Sequence, residues 1–320
     1  MKKIWQLWLT AILATFLLAA CGTEDAKKDD TPTTENTQTD EQSAKAAFPL
    51  TLTDAVGNDI TIEKAPKTIV SLIPSNTEIL FALGLNDEIV GVNDWDDYPA
   101  EALEKEKIGG MEFNVEKIIS MTPDIVFAHE TIAEEGLEQL RGAGVNVFVV
   151  KDAADFEQTY ETIETIGKAT GKTAEAAKIV EDMKTKVEEV LAKTATVENK
   201  KRVFIETSDV PEIYAPGKNT FMQQILDMIG AENIVTEEGW AMISPEEIVS
   251  QNPDVIVVMY SYVPNIVESV KNRDGFSDIT AVKEDAVVQV DENLTSRTGP
   301  RLALGLEEVA KAIYPEAFGE

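Results

Sequence analysis

The sequence predicts an α/β protein of two similar lobes, each a mostly parallel sheet with flanking helices, joined by one long rigid interlobe helix. Three observations carry this. Residues 173–193, TAEAAKIVEDMKTKVEEVLAK, place Ala176, Ile179, Val180, Met183, Val187, Val190 and Leu191 at helical spacing, giving an amphipathic helix about 30 Å long. On each side of it short Val/Ile-rich runs alternate with helical patterns, as in parallel sheets covered by helices. The two sides also repeat one another: GMEFNVEKIISMTPDIVFA from Gly110 resembles GWAMISPEEIVSQNPDVIVV from Gly239. With Glu116 set on Glu246, Ile118 falls on Ile248, Ser120 on Ser250 and Pro123-Asp124 on Pro253-Asp254, all 130 positions apart. A helix-turn-strand unit of this kind is common in α/β proteins, so the repeat alone would also fit local convergence. Combined with the strut between its two copies, it favours two lobes and places a ligand in the cleft between them. The strut contains no glycine or proline, so the usual hinge devices are missing and only small lobe motions are expected.

The expected divisions are a signal at residues 1–20, a tether at 21–47, an N-terminal lobe at 48–170, the interlobe helix at 171–195 and a C-terminal lobe at 196–320. Lys2 and Lys3 precede an apolar run too short for a comfortable transmembrane helix, which has the form of an export signal. The run ends in Leu18-Ala19-Ala20-Cys21. Small residues before the only cysteine resemble a bacterial lipoprotein signal, which implies cleavage after Ala20 and a lipid on Cys21. The mature protein would then be held at the extracytoplasmic face of the cell membrane without spanning it. Residues 22–47 are dense in Thr, Asp, Glu and Lys and lack apolar periodicity, so they are read as a flexible tether. The whole chain has 28 Lys and Arg against 58 Asp and Glu, a formal charge of -30, with no basic cluster. Binding to nucleic acid or to anionic lipid through the surface is disfavoured.

The first folded elements, residues 50–52 and 60–62, alternate around Gly57-Asn58 as a hairpin. A strand at 68–73 leads into a helix for which Ser75 is the expected N-cap, Glu78 its capping-box partner and Gly84 the terminator. The strand at 89–92 delivers the chain into Asn93-Asp94-Trp95-Asp96-Asp97-Tyr98-Pro99. Loops that follow strands in such folds face the ligand side, so Trp95 and Tyr98 are candidate cleft aromatics, against the plainer reading of a hydrophobic lid. Further strands are expected at 125–128, with His129 at the end, and at 145–150, 202–206, 255–259 and 287–290. Further helices are expected at 134–141, 156–166, 220–229 and 302–313.

Catalytic chemistry is scarce. His129 is the only histidine, which leaves no two-histidine metal site and no Ser-His-Asp arrangement with a spare partner. No GxGxxG, GxxxxGK[ST] or EF-hand pattern is present. Neither an enzyme nor a cofactor is expected.

SLIPSNTEILFALG from Ser71, VNDWDDYP from Val92, NVEKIISMTPDIVFA from Asn114, KRVFIE from Lys201, GAENI from Gly230, ISPEEI from Ile243, NPDVIVV from Asn252 and TGPR from Thr298 occur in this order. Together with the lipoprotein signal they resemble the helical-backbone class of ABC-transporter substrate-binding proteins, which serves iron-siderophores, haem and vitamin B12. The likeness covers nearly everything after the tether and is greatest to the vitamin B12 binders. It implies ligand contacts at Trp95, which takes a tyrosine position of their aromatic-x-Asp-Tyr-Pro loop, and at Trp240. The chain departs from them at Gly110 and His129, where they have tryptophans, and at Thr207, where they have a phenylalanine.

Pocket chemistry separates the possible ligands. A corrinoid is large, mostly neutral and rimmed by amides, and suits aromatic platforms such as Trp95, Trp240 and Tyr260. An anionic ferric siderophore would want converging arginines, for which Arg273, Arg297 and Arg301 are the candidates. Haem wants an axial ligand, and His129 with Tyr260 or Met111 would serve. A lipid-anchored adhesin or receptor ectodomain would need no cleft. The resemblance also implies docking to an ABC permease dimer through Glu116 and Glu246, one per lobe. Both residues sit in the first turn of their helices behind the expected caps Asn114 and Ser244, where helix-dipole stabilisation is the plainer explanation. A monomer is expected.

Overall fold

The computed structural model describes residues 48–319; the signal, the lipid on Cys21 and the tether that the sequence leads one to expect all lie outside the described residues. An antiparallel hairpin, β1 (Leu50–Thr53) and β2 (Asp59–Ile62), turns through Gly57 at positive φ. The first lobe continues as β3 (Ile69–Ser71), α1 (Pro74–Ala82), β4 (Ile89–Val92), β5 (Glu106–Lys107) and α2 (Val115–Ser120). It closes with β6 (Ile125–His129), α3 (Glu134–Gly142), β7 (Val147–Val150) and α4 (Phe156–Thr170). Its strands lie in the order β5-β4-β3-β6-β7, all parallel. α5 (Thr173–Thr194), 22 residues long, is the strut.

Beyond it come β8 (Arg202–Glu206), β9 (Tyr214–Pro216), α6 (Phe221–Ile229), β10 (Glu232–Asn233), β11 (Trp240–Met242) and α7 (Pro245–Gln251). The chain ends with β12 (Val255–Val258), α8 (Ile266–Lys271), α9 (Thr280–Lys283), β13 (Val287–Gln289), α10 (Glu292–Ser296), α11 (Leu302–Ile313) and α12 (Pro315–Phe318). A second parallel sheet has the order β10-β8-β12-β13, and β9 pairs with β11 as a separate antiparallel ribbon. β6, β7 and β12 read IVFAH, VFVV and VIVV and are buried along their whole length, as strands of a parallel sheet covered on both faces are. Among the described residues no helix is long and apolar enough to cross a membrane.

The internal repeat is structural. Asn114 and Ser244 both cap their helices, accepting from the Lys117 amide at 2.9 Å and the Glu247 amide at 3.3 Å. Ile118 and Ile248 are both fully buried. Thr122 and Asn252 both take positive φ, 48° and 47°, just before their Pro-Asp pair. The aspartates then tie the entry of a neighbouring strand: Asp124 accepts from the Lys67 amide at 2.7 Å, and Asp254 from the Arg202 amide at 2.8 Å.

The lobes are also joined by packing. α4 and α5 form an antiparallel pair in close approach; a Cβ on Gly167 would stand 2.4 Å from that of Ala176. Phe127 and Phe148 of the first sheet, Val180 and Val187 of α5, Val203 and Val257 of the second sheet, and Leu302 and Leu306 of α11 belong to one continuous core. Phe156 of α4 meets Phe221 of α6 across the lobes with ring centroids 5.5 Å apart.

One expected cap is corrected. α1 starts a residue earlier than Ser75, with Pro74 in its first turn and Ile73 as an N-cap that makes no side-chain bond. Proline suits that position because its missing N–H would go unpaired there anyway. Glu78 therefore lies two positions too deep to close a capping box, and its carboxylate goes elsewhere.

Candidate functional site

The loops that follow the strands of both sheets meet between the lobes. A cavity of about 360 Å³ is lined there by Asp152 and Ala153 after β7, and by Trp240, Met259, Thr295 and Ser296 from the second lobe. Trp240 stands on the ribbon and is 60% exposed. Trp95, in the loop after β4, is 71% exposed and does not line this cavity. It lies over Gly110, where a Cβ would approach its Nε1 to 3.1 Å. Gly110 is 130 positions before Trp240, so the place that Trp240 fills in the second lobe is covered in the first by a tryptophan from the adjacent loop.

Beside Trp95 the lobes are tied by charge. Glu78 accepts from Arg301 at both carboxylate oxygens, 2.6 and 2.8 Å, and from Arg297 at 3.0 Å. Arg297 also donates to Asp97 at 2.6 Å and to the Trp95 carbonyl oxygen at 3.3 Å. The Arg301 guanidinium lies 3.8 Å from the centre of the Tyr98 ring. Arg297, Trp95 and Tyr98, chosen from sequence as ligand contacts, are thus brought together, with Arg297 engaged by two carboxylates.

Tyr260 does not serve as a cleft platform. It is 2% exposed and donates to Glu206, which is also held by Arg273 through paired bonds of 2.7 Å. Burial first, then Glu206, pushes the Tyr260 phenol well above its ordinary range. Arg273 is completed by Asp209 at 2.7 Å, so all three arginines considered for an anionic ligand already face carboxylates. His129 is buried; its Nδ1 lies 2.9 Å from the Thr131 hydroxyl and its Nε2 3.6 Å from Asp152, a residue of the cavity wall. Burial lowers its pKa although Asp152 and Glu130 oppose the shift, so the ring is neutral at pH 7. Met111 is exposed.

A family model described as "Periplasmic binding protein" matches residues 69–294, most of the chain. The chain belongs to that family. This binding protein is of the helical-backbone class III type, an extracytoplasmic component of ABC importers and not an enzyme. It is 43% identical, over the full length of both chains, to the uncharacterized ABC transporter substrate-binding lipoprotein YvrC of Bacillus subtilis. It is 30% identical to a cobalamin-binding protein of Halobacterium salinarum, over 84% of this chain and 75% of the relative. A solved Staphylococcus epidermidis structure, described as a possible iron-binding (periplasmic solute-binding) protein, shares 37% identity with a TM-score of 0.71. The match covers 78% of this chain and all of that one.

Glu116 and Glu246 are exposed, each in the first turn of its helix, at matching places in the repeat. The cavity residues Asp152, Met259, Thr295 and Ser296 were not singled out from sequence. Their signal is position alone: each follows the carboxyl end of β7, β12 or β13 directly or through a short helix.

Proposed function

We propose that this binding protein captures a corrinoid in the interlobe cleft and delivers it to an ABC permease dimer. The reading rests on one contrast at the cleft. Trp95 and Trp240 present open aromatic faces, whereas the arginines that would recognise an anion are neutralised by Glu78, Asp97, Glu206 and Asp209. A large, nearly neutral ligand with a flat conjugated body suits that surface, and the cobalamin-binding relative supports the same class. Tyr260 and His129, two of the three side chains weighed as haem ligands, are buried in bonds of their own. A second reading, a ferric siderophore, is favoured by the solved relative described as iron-binding. Glu116 and Glu246 are assigned to permease docking, and a lipid on Cys21 to membrane anchoring.

The deciding experiment titrates a soluble Cys21→Ser protein with cyanocobalamin, haem and a ferric siderophore, read by calorimetry and tryptophan fluorescence. One-to-one binding of cyanocobalamin with quenching, weakened by Trp95→Ala and by Trp240→Ala, is expected. Heat and a thermal shift with the siderophore alone would move the assignment to the second reading.

A further inference from the structure

We propose that Glu78, Arg297 and Arg301 form an ionic latch between the lobes, which fixes the interlobe angle and holds Trp95 in place for the ligand. The inference rests on the reading of the cleft as the ligand site, and it makes Arg297 a positioning residue instead of a ligand contact.

The latch joins sequence-distant parts. Glu78 projects from α1 of the first lobe, and the two arginines belong to the segment between α10 and α11 of the second. The Glu78 side chain is 2% exposed and receives three charged hydrogen bonds, all from the other lobe. Removing one side of such a buried pair leaves an uncompensated charge, so its states are made or broken, with little between. With Asp97 the group holds two carboxylates and two guanidiniums and is neutral as a whole. The two segments touch: Gly299 sits against α1, where a Cβ would make an ordinary contact, 3.4 Å from the Ser75 carbonyl oxygen.

From the latch two connections run outward. Toward the cleft, Arg297 bonds the Trp95 carbonyl and Asp97, and Asn293 reaches Asp97 at 3.3 Å, so the aromatic loop of the first lobe is fastened to the second. Toward the strut, Arg301 leads directly into α11, whose Leu302 and Leu306 share the core with α5. Opening the lobes at Glu78 would therefore also displace Trp95 and load the packing of the interlobe helix. Ligand retention, the dissociation rate above all, is the property such a device sets.

The test uses the Cys21→Ser protein with spin labels at Glu138→Cys in the first lobe and Glu284→Cys in the second, both exposed in the unsubstituted chain. Interlobe distances are measured without ligand, and cyanocobalamin dissociation separately. A narrow distance distribution is expected for the parent. Glu78→Gln should broaden or lengthen it and speed dissociation by about tenfold or more, since affinity differences within one site fall mainly on the off-rate. Arg301→Lys, which keeps the charge and loses the paired geometry, should fall between. Asp97→Asn, which keeps Glu78 with both arginines, should alter Trp95 fluorescence and move the distance less than Glu78→Gln does. Should Glu78→Gln not fold, Arg301→Lys carries the distance measurement. A parental distance distribution in both Glu78→Gln and Arg301→Lys, or in the one of them that folds, overturns the latch. A broadened distribution in a protein that does not bind cyanocobalamin upholds the latch and removes the corrinoid reading instead.

Discussion

Asp96 should make the protein less stable as pH rises, and Asp96→Asn should remove that dependence. The carboxyl is buried in the loop beside Trp95. One oxygen accepts from the Thr77 hydroxyl at 2.9 Å and the Asn93 amide at 2.8 Å, and the other has no partner among the described residues. Lys107 is near but donates to the backbone oxygens of Asp96 and Asn93. Burial outweighs these contacts and pushes the carboxyl from an ordinary 3.8 up to about 6. Between those values the folded chain holds a proton that the unfolded chain has lost, so stability falls as pH rises through the window and is constant above it. The full effect is about 3 kcal/mol, of which roughly 2.5 kcal/mol separates pH 4 from pH 8. Buried His129 acts in the opposite sense, its pKa being lowered, so stability is lost as pH falls below 6.5 through its folded value. The two overlap in a plain pH profile, and the difference between parent and Asp96→Asn isolates the carboxyl. Urea unfolding at pH 4 and pH 8 should show the variant gaining on the parent by roughly 2.5 kcal/mol between the two. Its intercept absorbs any cost of the new amide nitrogen. A gain equal at both pH values within about 0.5 kcal/mol would refute the argument.

Two further outcomes are expected. The double reversal Glu116→Arg with Glu246→Arg should leave ligand affinity close to the parent's and abolish both uptake and stimulation of ATPase in the reconstituted transporter; surviving uptake would reduce these residues to helix-terminal charges. Phe156→Ala removes a buried ring from the contact with Tyr160 and Phe221, and should cost about 3 to 5 kcal/mol in chemical denaturation.

What the sequence disclosed depended on the range of the interactions. α5 was legible because helical periodicity repeats through 22 residues, and the lobe repeat because its caps, buried isoleucines and Pro-Asp turns are local devices used twice. The ribbon β9–β11 was not, since its strands have three residues each and pair across intervening helix and strand. Glu78 shows the same limit more sharply. Ser75-x-x-Glu78 satisfies a capping pattern, yet the partners that claim the carboxylate lie 219 and 223 positions away. Tyr260 looked like an open aromatic after a strand because Glu206 and Arg273, which enclose it, are 54 and 13 positions distant.

The core shared by the two lobes makes the unit of folding larger than the unit of the repeat. Neither half can complete its interior alone: the first without the second would leave Phe156 facing water, and the second without the first would leave Phe221 and the inner side of α6 uncovered. Heat should therefore melt the folded region in one transition seen alike by probes in either half, and a chain cut after α5 should yield two fragments that become soluble only when mixed. A duplicated architecture of this kind behaves in denaturation as a single object, its halves interdependent although each still carries the other's pattern.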